Sequence, residues 1–191
     1  MTAFRTPLKV LAEGENELTA APSGTLQGNL DGGIAGGATK AEINRATDVS
    51  ARLVAAGAAT LAVTEAAHEG RTILLDQTAG CTATLPAATG SGARYRFVQS
   101  VVPTSNSNII KVANGTDVFR GFAIMAQDAG DTAAMFETAS TSDTLTLNRS
   151  TTGGTQIGEQ AEFQDIAAGF WSVVAHLAGT GTEATPFSAT V

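Results

Sequence analysis

The chain has 191 residues, of which 43% are hydrophobic but only 5% are aromatic. Its formal net charge of −7 at pH 7 disfavours binding to nucleic acid or to an anionic membrane, because phosphate groups attract clusters of Lys and Arg. Cys81 is the only cysteine, which excludes an intrachain disulfide, and 21 glycines argue against a helical bundle. No stretch reaches the roughly 18 continuous apolar residues that a membrane-spanning helix needs.

Residues 1–38 are predicted to form an extended arm rich in Gly and Ala. The stretch "APSGTLQGNLDGGIAGGA" that begins at Ala21 has few bulky side chains, so it cannot build a core of its own. It is either a linker or disordered tail, or an arm that becomes ordered only against a partner.

Residues 39–57 are predicted to form a docking helix. Thr39 and Glu42 have the spacing of a capping box, and Gly57 is a plausible stop. Apolar residues then recur every three or four positions and form one narrow stripe, which is typical of a helix that docks on a flat surface. The stripe consists of Ile43, Ala46, Val49, Leu53 and Ala56.

From Arg71 the pattern changes to short strand-like runs separated by turn residues such as Gly80, Pro103 and Gly130. About nine strands at this spacing predict a mainly β fold, with a β-sandwich or jelly-roll-like domain over residues 58–191. The runs are "RTILLD", "TATL", "ARYRFVQ", "NIIKVA", "DVFRGFAIMA", "TAAMFET", "DTLTLN", "AEFQDI" and "GFWSVVAHL".

The alternation of apolar and polar residues is clearest in the last of these strands. Trp171 and Val173 should face the core, while Ser172 and His176 should face outward. Because few interior side chains are aromatic, the core should be thin. We therefore expect a homo-oligomer.

Histidine and cysteine give no metal or catalytic spacing. His68 and His176 are the only histidines and lie far apart in sequence, so we expect structural or surface roles for both. Cys81 has no nearby base and is expected to be a buried apolar filler.

Acidic residues could in principle form two kinds of site. Asp128 and Asp131 could offer two ligands to calcium at a loop tip, although an ordinary hairpin is favoured because calcium takes six or more oxygens. Carboxylate pairs for glycoside hydrolysis could be drawn from a larger set, but any acidic β protein offers such pairs. That set is Asp143, Glu159, Glu162 and Asp165. We expect no enzymatic activity, no cofactor and no metal.

Arg94 and Arg96 should share one strand face, with Tyr95 and Phe97 on the opposite face. Two arginines are too few for a groove that binds single-stranded nucleic acid. We expect them to contact an acidic partner or a neighbouring copy of the chain.

Several segments resemble tailed-phage virion proteins. "TKAEINRATDVSARL" resembles a segment that precedes the folded parts of many such proteins, including fibre-type proteins. "EGRTILLD", "TLPAATGSGARYRFV", "SNIIKVANGTD", "SDTLTLNRSTTGG" and "GTGTEATPFSATV" resemble small proteins that tailed phages encode beside their capsid genes.

This resemblance implies a capsid decoration, or cement, protein. Such a protein is commonly a homotrimer with a β-rich body, lies on the outside of the capsid and clamps neighbouring major capsid subunits. We accordingly expect synthesis in the host cytoplasm and assembly onto the virion. The resemblance carries no catalytic residues. The partner contacts predicted for this chain are Ile43, Val49, Leu53, Arg94 and Arg96.

Two other functions remain open. The helix segment also suits a tail-fibre or receptor-binding subunit, although long heptads and repeating shaft units are missing from the sequence. A carbohydrate-active enzyme is the least favoured function, because no acid/base pair stands out.

Overall fold

The structure is a computed structural model that describes residues 52–191. Within this range the chain forms twelve β-strands and one short helix. The elements are β1 Leu53–Ala55, β2 Thr60–Ala62, α1 Glu65–His68, β3 Thr72–Leu75, β4 Thr82–Thr84, β5 Arg94–Gln99, β6 Asn108–Lys111, β7 Val118–Ala126, β8 Ala133–Glu137, β9 Thr144–Leu147, β10 Gln160–Ala167, β11 Phe170–Ala178 and β12 Phe187–Ser188. The predicted mainly β class is confirmed, and all nine predicted strands are present.

The strands form two sheets that pack around one core. A seven-stranded sheet has the order β1-β3-β5-β10-β11-β7-β8, and a five-stranded sheet has the order β12-β9-β6-β4-β2. Both sheets are mixed, and five of their ten strand pairings are parallel. The sequence did not predict the parallel pairings.

The first six strands alternate between the two sheets. The chain enters the seven-stranded sheet at β1, crosses to the five-stranded sheet at β2, and repeats this crossing through β6. Successive strands in each sheet are parallel, so that Leu53, Thr72 and Arg96 occupy one register position. This winding resembles three coils of a β-solenoid, in which each coil adds one strand to each sheet.

Residues 53–55 correct the predicted helix. Leu53 belongs to the predicted apolar stripe, but Leu53, Val54 and Ala55 form β1 and pair with Thr72–Leu74. The amide of Thr72 donates to the carbonyl of Arg52 at 2.8 Å, so these backbone groups serve a parallel ladder. β1 also lies N-terminal to the predicted domain boundary at residue 58. The arm and residues 39–51 of the predicted helix, which include Ile43 and Val49, lie outside the described residues.

The core is built from aromatic rings of the seven-stranded sheet and mostly aliphatic side chains of the five-stranded sheet. Phe163 lies 5.8 Å from Phe97 and 5.0 Å from Phe119, measured between ring centroids, and Tyr95 lies 5.8 Å from Trp171. All five rings are buried. The facing sheet contributes Ala83, Ile110, Leu145, Leu147 and Phe187. The predicted alternation in β11 is confirmed, since Trp171, Val173, Ala175 and Leu177 are buried.

A buried amide pair joins the two sheets. Asn108 Nδ2 on β6 donates to Gln99 Oε1 on β5 at 3.1 Å, and Asn108 Oδ1 accepts from the amide of Cys81 at 2.9 Å. Gln99 Nε2 donates in turn to the carbonyl of Gln156 at 2.9 Å. Each amide group therefore has partners, as burial of polar groups requires.

Gly121 lets β7 and β11 pair. Its φ is +150°, and a Cβ added there would lie 1.8 Å from the carbonyl oxygen of Val173, its register partner. No side chain fits this position unless the two longest strands separate.

We expect Gly121→Ala to lower the free energy of unfolding by at least about 3 kcal/mol, because the added methyl group forces the β7–β11 ladder apart. Gly130→Ala is the matched control, since Gly130 also has a positive φ of +87° but its Cβ would meet nothing within 4 Å. The control should cost only about 1 kcal/mol of backbone strain. Urea denaturation of both variants checks this, and equal losses would contradict the proposed steric cause.

Candidate functional site

The solvent side of the seven-stranded sheet, called here the outer face, carries three of the five predicted contact residues. Arg94 and Arg96 are exposed on β5, while Tyr95 and Phe97 beneath them are buried, as the sequence predicted. Leu53 lies on the same face and is 62% exposed. Leu53, which the sequence placed in a helix, therefore lies on the same surface as Arg94 and Arg96.

Two rows of side chains cross the outer face through all seven strands. These rows follow from the strand registers, in which paired residues point to the same side. The first row is Leu53, Thr72, Arg96, Glu162, Val174, Phe122 and Glu137; the second is Ala55, Leu74, Val98, Gln160, His176, Ile124 and Met135. Charges of both signs therefore lie among aliphatic and aromatic side chains.

A chain of polar contacts fixes the centre of the outer face. Arg96 Nε donates to Gln160 Oε1 at 3.1 Å, and the guanidinium Nη2 contacts the same oxygen. Gln160 Nε2 lies 3.4 Å from His176 Nδ1. Glu162 and Val174 help to line the shallow depression around these groups, whose volume is about 130 Å³. Small-molecule sites usually occupy 300 Å³ or more, so this surface suits a flat partner better than a small ligand.

The β7–β8 end of the outer face carries several large apolar side chains. Phe122 is 37% exposed and Met135 is 68% exposed, and Ile124 lies between them in the register. Large apolar side chains gathered on one exposed surface are typical of an interaction site.

Arg120 borders the outer face but is held in place by neighbouring groups. Its guanidinium donates to the carbonyls of Phe119 at 2.9 Å, Ala139 at 3.3 Å and Ser140 at 3.1 Å. The same group lies 5.3 Å from the ring centroid of Phe170, a cation–π distance. Arg120 therefore stabilises the loop after β8, whereas Arg94 projects from an open strand face.

The carboxylates considered for acid/base chemistry serve separate loops. Asp143 accepts from the amides of Thr190 and Val191, and Glu159 accepts from those of Gly154, Thr155 and Gln156. Both are buried. Glu159 immediately precedes β10 and Asp165 lies six residues further along it, which separates them by about 20 Å. Glu162 is exposed on the outer face. The structure does not bring these acids together as a catalytic pair.

Among residues 52–191, Asp165 is the carboxylate that accepts the most hydrogen bonds. It is buried and accepts from the amides of Thr89, Gly90 and Ser91 at 2.7 to 3.0 Å, and from the hydroxyls of Thr89 and Ser91. Desolvation by burial raises the pKa of this carboxyl, but the hydrogen bonds outweigh desolvation and hold the pKa below its ordinary value. The carboxylate thus fixes the loop before β5, and with it the position of Arg94.

Three other titratable side chains, those of His68, Cys81 and Tyr95, are buried in the fold. His68 is buried, and its Nδ1 accepts from the amide of Thr64 at 3.0 Å at the start of α1. Cys81 lies in the core as predicted, and burial raises the pKa of its thiol. Burial also raises the pKa of Tyr95 to about 12, with the charges of Glu65, Glu69 and Asp165 adding to the effect.

Neither a metal centre nor a membrane-spanning helix is found in residues 52–191. No three His, Cys, Asp or Glu side chains in this range lie close enough together to hold an ion. Asp128 instead accepts from the amide of Gly181 at 3.4 Å, and Asp131 adopts a positive φ of +51° at the hairpin tip. No helix in the same range is long and apolar enough to cross a bilayer.

A second depression lies beside the starts of β4 and β6 and has a volume of about 500 Å³. Small side chains and backbone line it, including Gly80, Thr82, Asn106 and Ser107. Its only titratable side chain is that of Cys81, which is buried, so no charged group lines the depression.

Comparison with known proteins gave no relative. No family model, no curated protein and no solved structure matches this chain.

We expect Asp165→Asn to lower the free energy of unfolding at pH 7 by about 2–4 kcal/mol, because an amide is a weaker acceptor and offers N–H groups to a loop of donors. Since the folded-state pKa is lowered, the carboxylate stabilises the fold above its unfolded pKa of about 3.9. This stabilisation is lost as the pH falls through the folded value. The variant should therefore show a weaker loss of stability than the wild type below about pH 4.

Asp131→Asn is the control for this prediction, because Asp131 is exposed and Asn tolerates its positive φ. Chemical denaturation between pH 2 and pH 7 measures both effects. An Asp165→Asn variant as stable as the control, with the acid slope of the wild type, would contradict the role given to the hydrogen bonds.

Proposed function

We propose that this chain is a structural virion protein that decorates and stabilises a tailed-phage capsid by clamping neighbouring major capsid subunits. The observation that carries the proposal is the outer face, a flat surface where exposed apolar side chains and charges of both signs cross seven strands. Such a surface binds proteins, since it has shape and apolar area but no deep pocket.

Three further features support a binding role. The buried carboxylates of Asp143, Glu159 and Asp165 accept hydrogen bonds from the backbone of loops, so their role is to stabilise the fold. The sequence resemblance points to small proteins encoded beside capsid genes. The net charge of −7 suits contact with protein better than contact with packaged DNA.

A clamp gains strength from multiple attachment. When one protein contacts several capsid subunits, each contact raises the effective concentration of the next, so modest affinities combine into a tight hold. Homo-oligomers on the shell multiply the contacts again. The homotrimer expected from the sequence stays a prediction.

The second candidate function is a tail-fibre or receptor-binding subunit. It draws on the winding of β1 to β6, because alternate crossing between two sheets with parallel pairing is how elongated β-solenoids extend. In that function the solenoid would form a shaft at the tail of the particle and bind the host receptor there.

We expect particles that lack this protein to assemble but to lose DNA at lower temperature or under milder osmotic shock than complete particles. Adding back the purified protein should restore resistance, since a clamp raises the free energy needed to pry subunits apart. Release of DNA during a temperature ramp measures the effect. Equally robust heads that no longer adsorb to host cells would replace this function with the receptor-binding one.

We expect Arg94→Glu and Leu53→Asp each to weaken attachment to shells by about tenfold or more, because both substitutions alter exposed positions on the outer face. Lys111→Glu is the matched control for charge reversal, since Lys111 lies on β6 in the other sheet. Co-sedimentation of purified protein with depleted shells gives the affinities. If Lys111→Glu weakens attachment as much as Arg94→Glu does, the outer face is not the contact surface.

A further inference from the structure

Among residues 52–191, β8 is the longest strand at an open sheet edge. Of the four strands at the edges of the two sheets, β1 and β2 have three residues and β12 has two, whereas β8 has five. Very short edge strands are one way in which β proteins prevent pairing with other chains. β8 lacks this protection.

The backbone of β8 directs hydrogen-bonding groups away from the sheet. The carbonyl of Thr132 accepts from the amide of Gln127 at 3.0 Å, and the amide of Thr138 donates to the carbonyl of Gly121 at 3.0 Å. The even-numbered residues are therefore the ones that exchange backbone hydrogen bonds with β7. In an antiparallel ladder, alternate residues face opposite sides. Ala133, Met135 and Glu137 therefore point their N–H and C=O groups toward the open edge.

Apart from the charge of Glu137, β8 lacks the other common protections of an edge. Its sequence, Ala-Ala-Met-Phe-Glu, contains neither Lys nor Pro. Its register with β7 is continuous, without the bulge that would twist the edge away. The central side chain, Met135, is 68% exposed.

We propose that β8 pairs with β8 of a second copy of this chain, antiparallel about a two-fold axis at Met135, so that two seven-stranded sheets become continuous. This inference concerns self-association and does not depend on the proposed capsid function, but its two-fold dimer takes the place of the homotrimer expected from the sequence. Among two-fold registers, only the one centred on Met135 pairs all three outward-facing residues. It forms about six backbone hydrogen bonds across the boundary, two for each pair.

The side chains of β8 are complementary to themselves in this register. Met135 lies opposite Met135, Glu137 lies opposite Ala133, and the bulky Phe136 lies opposite the small Ala134. No like charges face each other directly, which would destabilise the pairing. The exposed apolar ends of the two outer faces, with Phe122 and Ile124 beside Met135, also become neighbours.

This self-complementarity identifies a second copy as the occupant of the edge. An extended strand from another protein could add to the same backbone groups, but β8 offers it a single charge, Glu137, for recognition. A two-fold pair satisfies the backbone and the side chains with one segment and closes at two copies.

Sedimentation velocity of the full chain over a range of concentrations tests the proposal. The wild type should approach twice 19.3 kDa, and Met135→Lys should raise the dissociation constant at least about tenfold, because two lysines would face each other at the axis. Ile157→Lys is the matched control, since Ile157 is also 68% exposed but lies outside the strands. It should associate like the wild type.

Met135→Pro is a second variant that removes an outward N–H, which the pairing with β7 does not use. Because proline also fixes φ, circular dichroism checks that β8 is retained. The variant should also be monomeric, with the circular dichroism of the wild type. A wild type that stays at 19.3 kDa, or one that reaches three times this mass and is unaffected by either variant, overturns the proposal.

Met135→Cys provides a test that does not depend on loss of binding. In the proposed register the two Cα atoms are about 5.5 Å apart, within the range of a disulfide. Mild oxidation should give a covalent dimer, whereas Ile157→Cys should stay mostly monomeric. Equal cross-linking of the two variants would contradict the pairing.

Discussion

Loops that cross between two packed sheets contain backbone N–H groups without a strand partner, and burying such groups unpaired costs free energy. This chain satisfies many of them with buried carboxylates. Asp117 bonds the amide of Ala88, Asp143 bonds the C-terminal residues, Glu159 bonds the loop after Gly153, and Asp165 bonds the loop before β5. Charged acceptors make stronger hydrogen bonds than neutral ones, so these four side chains fix loops that contain few large apolar groups.

The same arrangement determines which surface is open to partners. The large rings of Tyr95, Phe97, Phe119, Phe163 and Trp171 point inward from the seven-stranded sheet, and the strand period of two then places every alternate residue on the outer face. Because Asp165 anchors the loop that leads into β5, Arg94 and Arg96 project from a fixed strand. A rigid face loses little entropy on binding, and this favours a protein whose work is to hold other proteins.

The sequence predicted the positions of the strands better than it predicted which strands pair. All nine predicted strands are present because each carries a period-two pattern or a run of strand-forming residues between turn residues, and such patterns are local. β1 was mistaken for helix because Leu53 and Ala56 continue a three-to-four spacing, and three residues are too few to show alternation. Its strand conformation comes from parallel pairing with Thr72–Leu74, which is non-local.

The candidate site could be predicted only in part. Asp143, Glu159 and Asp165 remain candidates for catalysis on sequence alone, because burial and loop contacts cannot be read from composition. The outward direction of Arg94 and Arg96 follows from alternation alone.

The proposed function is that this protein holds a capsid together from the outside. Immunogold labelling of intact particles with antibodies against residues 52–191 tests it most directly. Gold distributed over the whole head surface is the result that the account predicts. Gold confined to the tail would contradict it.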